Sequence, residues 1–185
     1  MPTKVAMQKP KQRGFTIMEV LVATAVLFLG VVAVAQLVPV AVTANSGNRR
    51  DSSAAVIAQR ALTQFLQLSV TFPGPYQDLN PNNVCSVAPY CSLGDPTQPG
   101  VTVGSPVVII ANRPAINFTA AKVAGYNATV NDPEDPYRAP YDVRWAVITG
   151  GNGTSASSRR FIIGARQTNA TTYMMPLTLD AMVQR

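Results

Sequence analysis

The chain has 185 residues, 47% of them apolar and only 13% charged, roughly half the charged share usual for a soluble domain. That balance excludes a disordered chain, which needs low hydrophobicity and high net charge. No histidine is present, which removes a Ser–His–Asp or Cys–His centre, and two cysteines are too few for a Cys-rich zinc site. No nucleotide-binding loop, metal cluster or base–nucleophile pair is legible either. The chain therefore reads as a non-enzyme that needs no cofactor and no metal.

The net charge of +6 is concentrated at one end. Lys4, Lys9, Lys11 and Arg13 lie in the first fourteen residues, which carry no acid, and residues 15–185 have a net charge of only +2. A basic tip that abuts an apolar run reads as a topology signal. Between Phe15 and Arg49 the only charged residue is Glu19, and Val20–Ala44 is an uncharged run of 25 residues. As a helix this run is about 37 Å long, enough to cross a hydrocarbon core of about 30 Å with some tilt. Apolar residues surround the predicted helix, so no polar stripe remains to face water. The leading cations place the N-terminus in the cytoplasm and the remainder outside the cytoplasmic membrane. The run is too long for an ordinary cleaved secretory signal, and its most signal-like junction, Gly14-Phe15, precedes the apolar helix.

Arg13-Gly14-Phe15-Thr16-Ile17-Met18-Glu19-Val20-Leu21 resembles the signal of type IV prepilins. In that family a membrane peptidase cuts after the glycine and methylates the new N-terminus. The resemblance implies that Gly14 ends a basic leader, 1–14. It makes Phe15 the N-methylated first residue of a 171-residue mature chain. It makes Glu19 the glutamate that sets register during assembly. The physics of Glu19 agrees with that role. A carboxylate at the centre of a membrane helix costs about 2.5–3.5 kcal/mol and calls for a partner. After cleavage, the Phe15 amine is a cation four residues away on the same helix face. It can neutralise Glu19 within one subunit or between neighbours. Glu19-Val20-Leu21-Val22-Ala23 followed by Gly30 is most similar to PilV-type minor pilins. Type II secretion minor pseudopilins share the first five residues. Pro39 is expected to kink or locally open the helix.

Ser46-Gly47-Asn48-Arg49-Arg50-Asp51 marks the exit from the membrane, so 15–48 is the membrane and filament-core helix and 49–185 a globular head. Ile57, Ala61, Phe65, Leu68 and Phe72 recur at helical spacing, predicting an amphipathic helix over 51–72 that packs on a sheet. Pro73-Gly74-Pro75 ends it. Helical signal thus runs from about 15 to 72, with Pro39 and Gly47 as candidate breaks. Residues 73–106 are rich in Pro, Gly, Asn and Ser and read as a long loop. Cys85 and Cys91 enclose five residues. Outside the cytoplasm a local bridge between them is expected, and a CxxC redox reading fails on spacing.

A sheet is expected over 107–185. Its strands are Val107–Ala111, Lys122–Val130, a half-buried strand alternating through Tyr141, Val143, Trp145 and Val147, Arg160–Arg166 and Tyr173–Leu179. Gly150–Ser158 reads as a hairpin loop, and the strand aromatics as core. Asp132-Pro133-Glu134-Asp135-Pro136 reads as a solvated acidic turn in preference to a calcium site. Asn-x-Ser/Thr sequons occur at Asn117, Asn127, Asn152 and Asn169. Arg49-Arg50 and Arg159-Arg160 are expected in solvent, and nucleic acid is not an expected partner.

The fold class is α+β and pilin-like: a long N-terminal helix, half in the membrane and half amphipathic, packed on a C-terminal antiparallel sheet. The first functional reading is a minor pilin, a subunit that enters or primes a type IV pilus. The others are a minor pseudopilin of type II secretion, and a tip subunit binding DNA or a surface. The implied partners are the prepilin peptidase/methyltransferase, other pilins or pseudopilins, and the inner membrane before assembly. The implied localisation is the cytoplasmic membrane, then the pilus or pseudopilus.

Overall fold

The computed structural model describes residues 14–72, 74–80, 83–86, 90–132, 139–168 and 176–184. One helix, α1 (Ile17–Leu66), is followed by seven strands: β1 (Thr102–Gly104), β2 (Val107–Ile110), β3 (Arg113–Ile116), β4 (Asn127–Asn131), β5 (Pro140–Gly151), β6 (Ala156–Gln167) and β7 (Leu177–Gln184). By internal packing the chain divides into two units between Asn45 and Ser46.

In the first unit α1 has no packing partner. Its large apolar side chains stand exposed, Phe28 at 69% and Leu37 at 65% among them. It is the one helix among the described residues long and apolar enough to cross a membrane. Thr16 starts it: the Glu19 amide reaches both the Thr16 carbonyl (3.1 Å) and its hydroxyl (3.3 Å). Pro39 sits inside α1 without ending it, so the expected break is absent there and at Gly47. A proline removes one backbone bond, and a long helix tolerates that loss.

In the second unit α1 buries Ala54, Ile57, Ala58, Ala61 and Phe65, one face at helical spacing. Phe65 meets Trp145 edge-on with centroids 5.4 Å apart, and Phe161 at 5.5 Å. The helix stops at Leu66, six residues before the expected end. Ser69 explains this locally. Its hydroxyl accepts the Thr71 amide at 3.3 Å, offering the backbone an alternative to the next helical turn. Val70 and Thr71 are β-branched and weak helix formers. Leu68 and Phe72 still pack against the core, so the apolar stripe outlasts the helix. Of the proposed stop signal, Pro73 lies outside the described residues.

The main sheet is antiparallel, in the order β1-β5-β6-β7, with β4 also paired to β5. Its centre is the β5–β6 hairpin, with Trp145 opposite Ile163 and Val147 opposite Phe161. The odd-numbered residues of β5 face α1. Tyr141, Val143, Trp145 and Val147 are buried there with Phe161, Ile163 and Ala165.

β5 is not half-buried. Asp142, Arg144 and Ala146, on its other face, are also buried: the separate two-stranded β2–β3 sheet covers Ala146, and the segment after it covers Asp142 and Arg144 through Phe118, Ala120 and Lys122. Ile116 and Phe118 pack there on Ala146 and Ile162. Gly164 permits the approach, since a Cβ at that position would stand 2.8 Å from the Phe118 ring and 2.9 Å from Ile116. The buried ions are paired. Asp142 takes Arg144 at 3.0 Å and Lys122 at 3.2 Å, and Arg144 and Arg166 both stack on the Phe118 ring.

Other boundaries also move. β1 lies inside the expected loop, pairing Val103 with Val147. β3 was not among the expected strands, and its Pro114 is tolerated because a strand of a two-stranded sheet has a free edge. β4 is only the end of the expected 122–130 strand. β6 starts earlier than expected and β7 runs later, and residues 173–175 of the last expected strand lie outside the described residues. Residues 133–136 of the acidic turn and the Asn169 sequon do so too. Trp145 and Phe161 are core residues, as read from the alternation.

Arg159 is a correction. The strand register aims it at the α1 face opposite Thr149, where it is 1% exposed. One Nη donates to the Phe72 carbonyl at 2.9 Å, while Nε and the other Nη have no hydrogen-bond partner among the described residues. Burial pushes its pKa below the ordinary arginine value, and the Asp95 charge opposes that shift. Arg160, on the opposite face, pairs with Asp180 at 2.6 Å.

Candidate functional site

The residues expected to carry function fall into two groups that the fold treats differently. Gly14, Phe15 and Glu19 stand at the head of α1. Gly14 and Phe15 precede its first residue, Ile17, so the peptide bond between them lies outside helical hydrogen bonding. No other atom lies within 4 Å of a Cβ placed on Gly14, and Phe15 is 81% exposed.

Glu19 occupies the first turn of α1. Its position is set by Thr16, which sequence analysis did not single out. The signal was present, because Thr16-Ile17-Met18-Glu19 has the spacing of a capping box. Here the threonine half is formed, through the Glu19 amide and the Thr16 hydroxyl. A first-turn carboxylate also faces the positive end of the helix dipole. Further along, Gly30 leaves an apolar notch between Val26, Leu27, Val31, Val34 and Ala35.

Cys85 and Cys91 form a disulfide. It is buried, with Cys85 at 0% and Cys91 at 2% exposure, and it belongs to the same core as Phe65 and Trp145. The segment around it is built in. Tyr76 and Cys91 exchange backbone hydrogen bonds at 2.7 and 2.9 Å, and the Asp78 amide donates to the Cys85 carbonyl at 3.0 Å. The Asp78 carboxylate accepts the Tyr76 hydroxyl, the Asn80 amide and the Asn83 side chain. The Asn80 amide is the largest cause holding its pKa below the usual value, against a smaller desolvation effect. The Trp145 indole donates to the Ser92 carbonyl at 2.9 Å. The described residues of this loop around the disulfide are therefore anchored on the sheet. Closing so short a loop contributes about 2 kcal/mol. Cys85→Ser with Cys91→Ser is expected to lower head stability by that amount or slightly more, since two buried polar hydroxyls replace the bridge. Urea titration of the full chain in detergent measures it, and an unchanged midpoint refutes it.

Among the described residues no cluster of three or more His, Cys, Asp or Glu side chains could hold a metal ion. Residues 9–35 match the family model of the prokaryotic N-terminal methylation motif. No curated protein and no solved structure matches the chain significantly. The motif supports a type IV pilin-like or pseudopilin protein, and it implies processing by a prepilin peptidase and assembly with other pilins. The apolar helix beside it is consistent with membrane anchoring.

Proposed function

We propose that the chain is a minor pilin. After cleavage between Gly14 and Phe15 and methylation of the Phe15 amine, it enters or primes a type IV pilus as a structural subunit. The observation that carries this reading is the methylation motif over 9–35, together with a helix of 50 residues that begins inside it and whose second part packs on an antiparallel sheet. The basic leader holds the N-terminus in the cytoplasm, and the head stands on the far side of the membrane. A subunit stored in lipid must later leave it. The exposed apolar side chains of 15–42 make that exit unfavourable unless other helices replace the lipid. Filament packing does so, and Glu19 directs it.

Glu19 supplies the specificity. In an apolar filament core its carboxylate needs a cation, and the new Phe15 amine of a neighbour is the nearest kind available. Such pairing is selective for register more than it is stabilising, because desolvation offsets much of the attraction. Glu19→Ala is expected to leave membrane insertion intact and to lower incorporation into sheared filaments by at least about tenfold, equivalent to roughly 1.4 kcal/mol at one contact. Equal ratios of filament to membrane protein in wild type and variant would defeat the role. A minor pseudopilin of type II secretion carries the same motif. In that case the subunit co-purifies with a periplasmic pseudopilus, and its loss stops secretion while surface pili persist.

A further inference from the structure

The tip of the β5–β6 hairpin carries chemistry that the assembly role does not use. Gly151 to Ser155 are all exposed, between a buried Thr149 and a buried Ala156. Within the tip, the side-chain oxygen of Asn152 accepts four donors. They are the Thr154 amide at 3.4 Å and hydroxyl at 3.3 Å, and the Ser155 amide at 3.2 Å and hydroxyl at 3.3 Å. Among the described residues no hydrogen bond engages the Asn152 side-chain nitrogen or the Gly153 backbone amide. Gly153 has a φ of +96°, and no atom lies within 4 Å of its Cβ position.

These groups are the parts of one intramolecular reaction. We propose that Asn152 is the residue at which the folded chain deamidates. The Gly153 amide gives its proton to solvent base, and its nitrogen attacks Cγ of Asn152. The N–Cγ bond forms and the Cγ–Nδ2 bond breaks. The side-chain nitrogen leaves as ammonia, taking a proton from water, and a five-membered succinimide remains. Water then opens either carbonyl, giving aspartate or isoaspartate, with no oxidant or reductant involved. Four donors around the oxygen stabilise the negative charge that develops on it during attack. The leaving nitrogen faces solvent. Glycine presents no side chain to block the approach.

Four other asparagines are held back by their surroundings. Asn117 has a comparable side-chain turn, accepting the Thr119 amide and hydroxyl. Its next residue, Phe118, is buried in the second core, so its backbone cannot swing onto Cγ. The Asn127 side-chain nitrogen is committed to the Val123 carbonyl, and the residue stands in β4 paired with Arg144. Asn45 and Asn48 lie inside α1. Conversion at Asn152 puts a carboxylate at the hairpin tip, within reach of the same two backbone amides.

The test is incubation of the full-length chain in detergent at mildly alkaline pH, followed by tryptic mapping. The peptide Trp145–Arg159 contains Asn152 as its only asparagine. Its amide-to-acid mass gain should appear first and grow several-fold faster than in any other asparagine peptide. Gly153→Ala, at an exposed tip, should slow it by at least about tenfold, a barrier increase of roughly 1.4 kcal/mol. Conversion at another asparagine ahead of Asn152, or an equal rate in the Gly153→Ala chain, overturns the assignment.

Discussion

Gly14→Val is expected to leave the chain in the membrane at its full 185-residue length, with Met1 or its processed successor still at the N-terminus. The wild type, in cells with an active prepilin peptidase, should begin at N-methyl-Phe15. The variant costs the chain itself nothing, because Gly14 precedes α1 and no atom lies within 4 Å of its Cβ position. Any effect must therefore arise in the enzyme that reads the junction, where a branched side chain beside the scissile bond fills space that glycine leaves open. The consequence extends to assembly. An uncut leader keeps four extra cations, Lys4, Lys9, Lys11 and Arg13, and denies Glu19 the Phe15 amine. Intact mass and N-terminal sequencing of protein from its own membranes decide the matter. A variant shortened to Phe15 as in the wild type would remove the processing claim, and every filament claim rests on it.

Trp145→Ala is expected to be the most damaging single substitution in the head. The indole is fully buried and touches Phe65 of α1 and Tyr126, which precedes β4. Truncating a buried tryptophan costs about 3–5 kcal/mol. Its Nε1 also satisfies the Ser92 carbonyl, and orphaning that acceptor adds about 1 kcal/mol or more. A head of this size has about 5–15 kcal/mol in total. The urea midpoint of the full chain, followed by circular dichroism, should fall by about 2 M, or the head should not fold at all. Trp145→Phe separates the terms. It keeps most of the packing but not the hydrogen bond, so it should recover more than half of the loss. A midpoint within about 0.5 M of wild type for Trp145→Ala would show that helix, sheet and long connection are not held through this side chain.

The strands were legible where one face is apolar and the other polar. The alternation at Tyr141, Val143, Trp145 and Val147 located β5 and identified its inner face. It could not show that the polar face is covered, because the cover comes from the β2–β3 hairpin and the segment after it, which are distant in the chain. Reading Asp142 and Arg144 as surface residues follows from composition, and pairing with Lys122 and stacking on Phe118 is what allows them to be buried. Arg159 escaped for a related reason. Two adjacent arginines must face opposite sides of a strand, so one of them had to point at the core, but only the sheet register says which. The helix end was misplaced because Leu68 and Phe72 keep the apolar period after the backbone has left the helix. Thr16 was missed although its spacing to Glu19 was readable.

What the sequence determined by itself lies at the N-terminus and in local pattern. The basic N-terminal segment, Gly14-Phe15, Glu19 and the apolar run are contiguous, and the methylation motif they form is read from charge, hydropathy and spacing along the chain. The amphipathic stripe at Ile57, Ala61 and Phe65, and the pairing of the head's only two cysteines, are of the same kind. Tertiary structure alone decided that β1 and β3 exist, that the central strand is covered on both faces, that the long connection is built into the core through Cys85, Cys91 and Trp145, and that Arg159 is buried. Each of these depends on residues brought together from distant parts of the chain. Such contacts carry no period, so no window along the sequence can contain them.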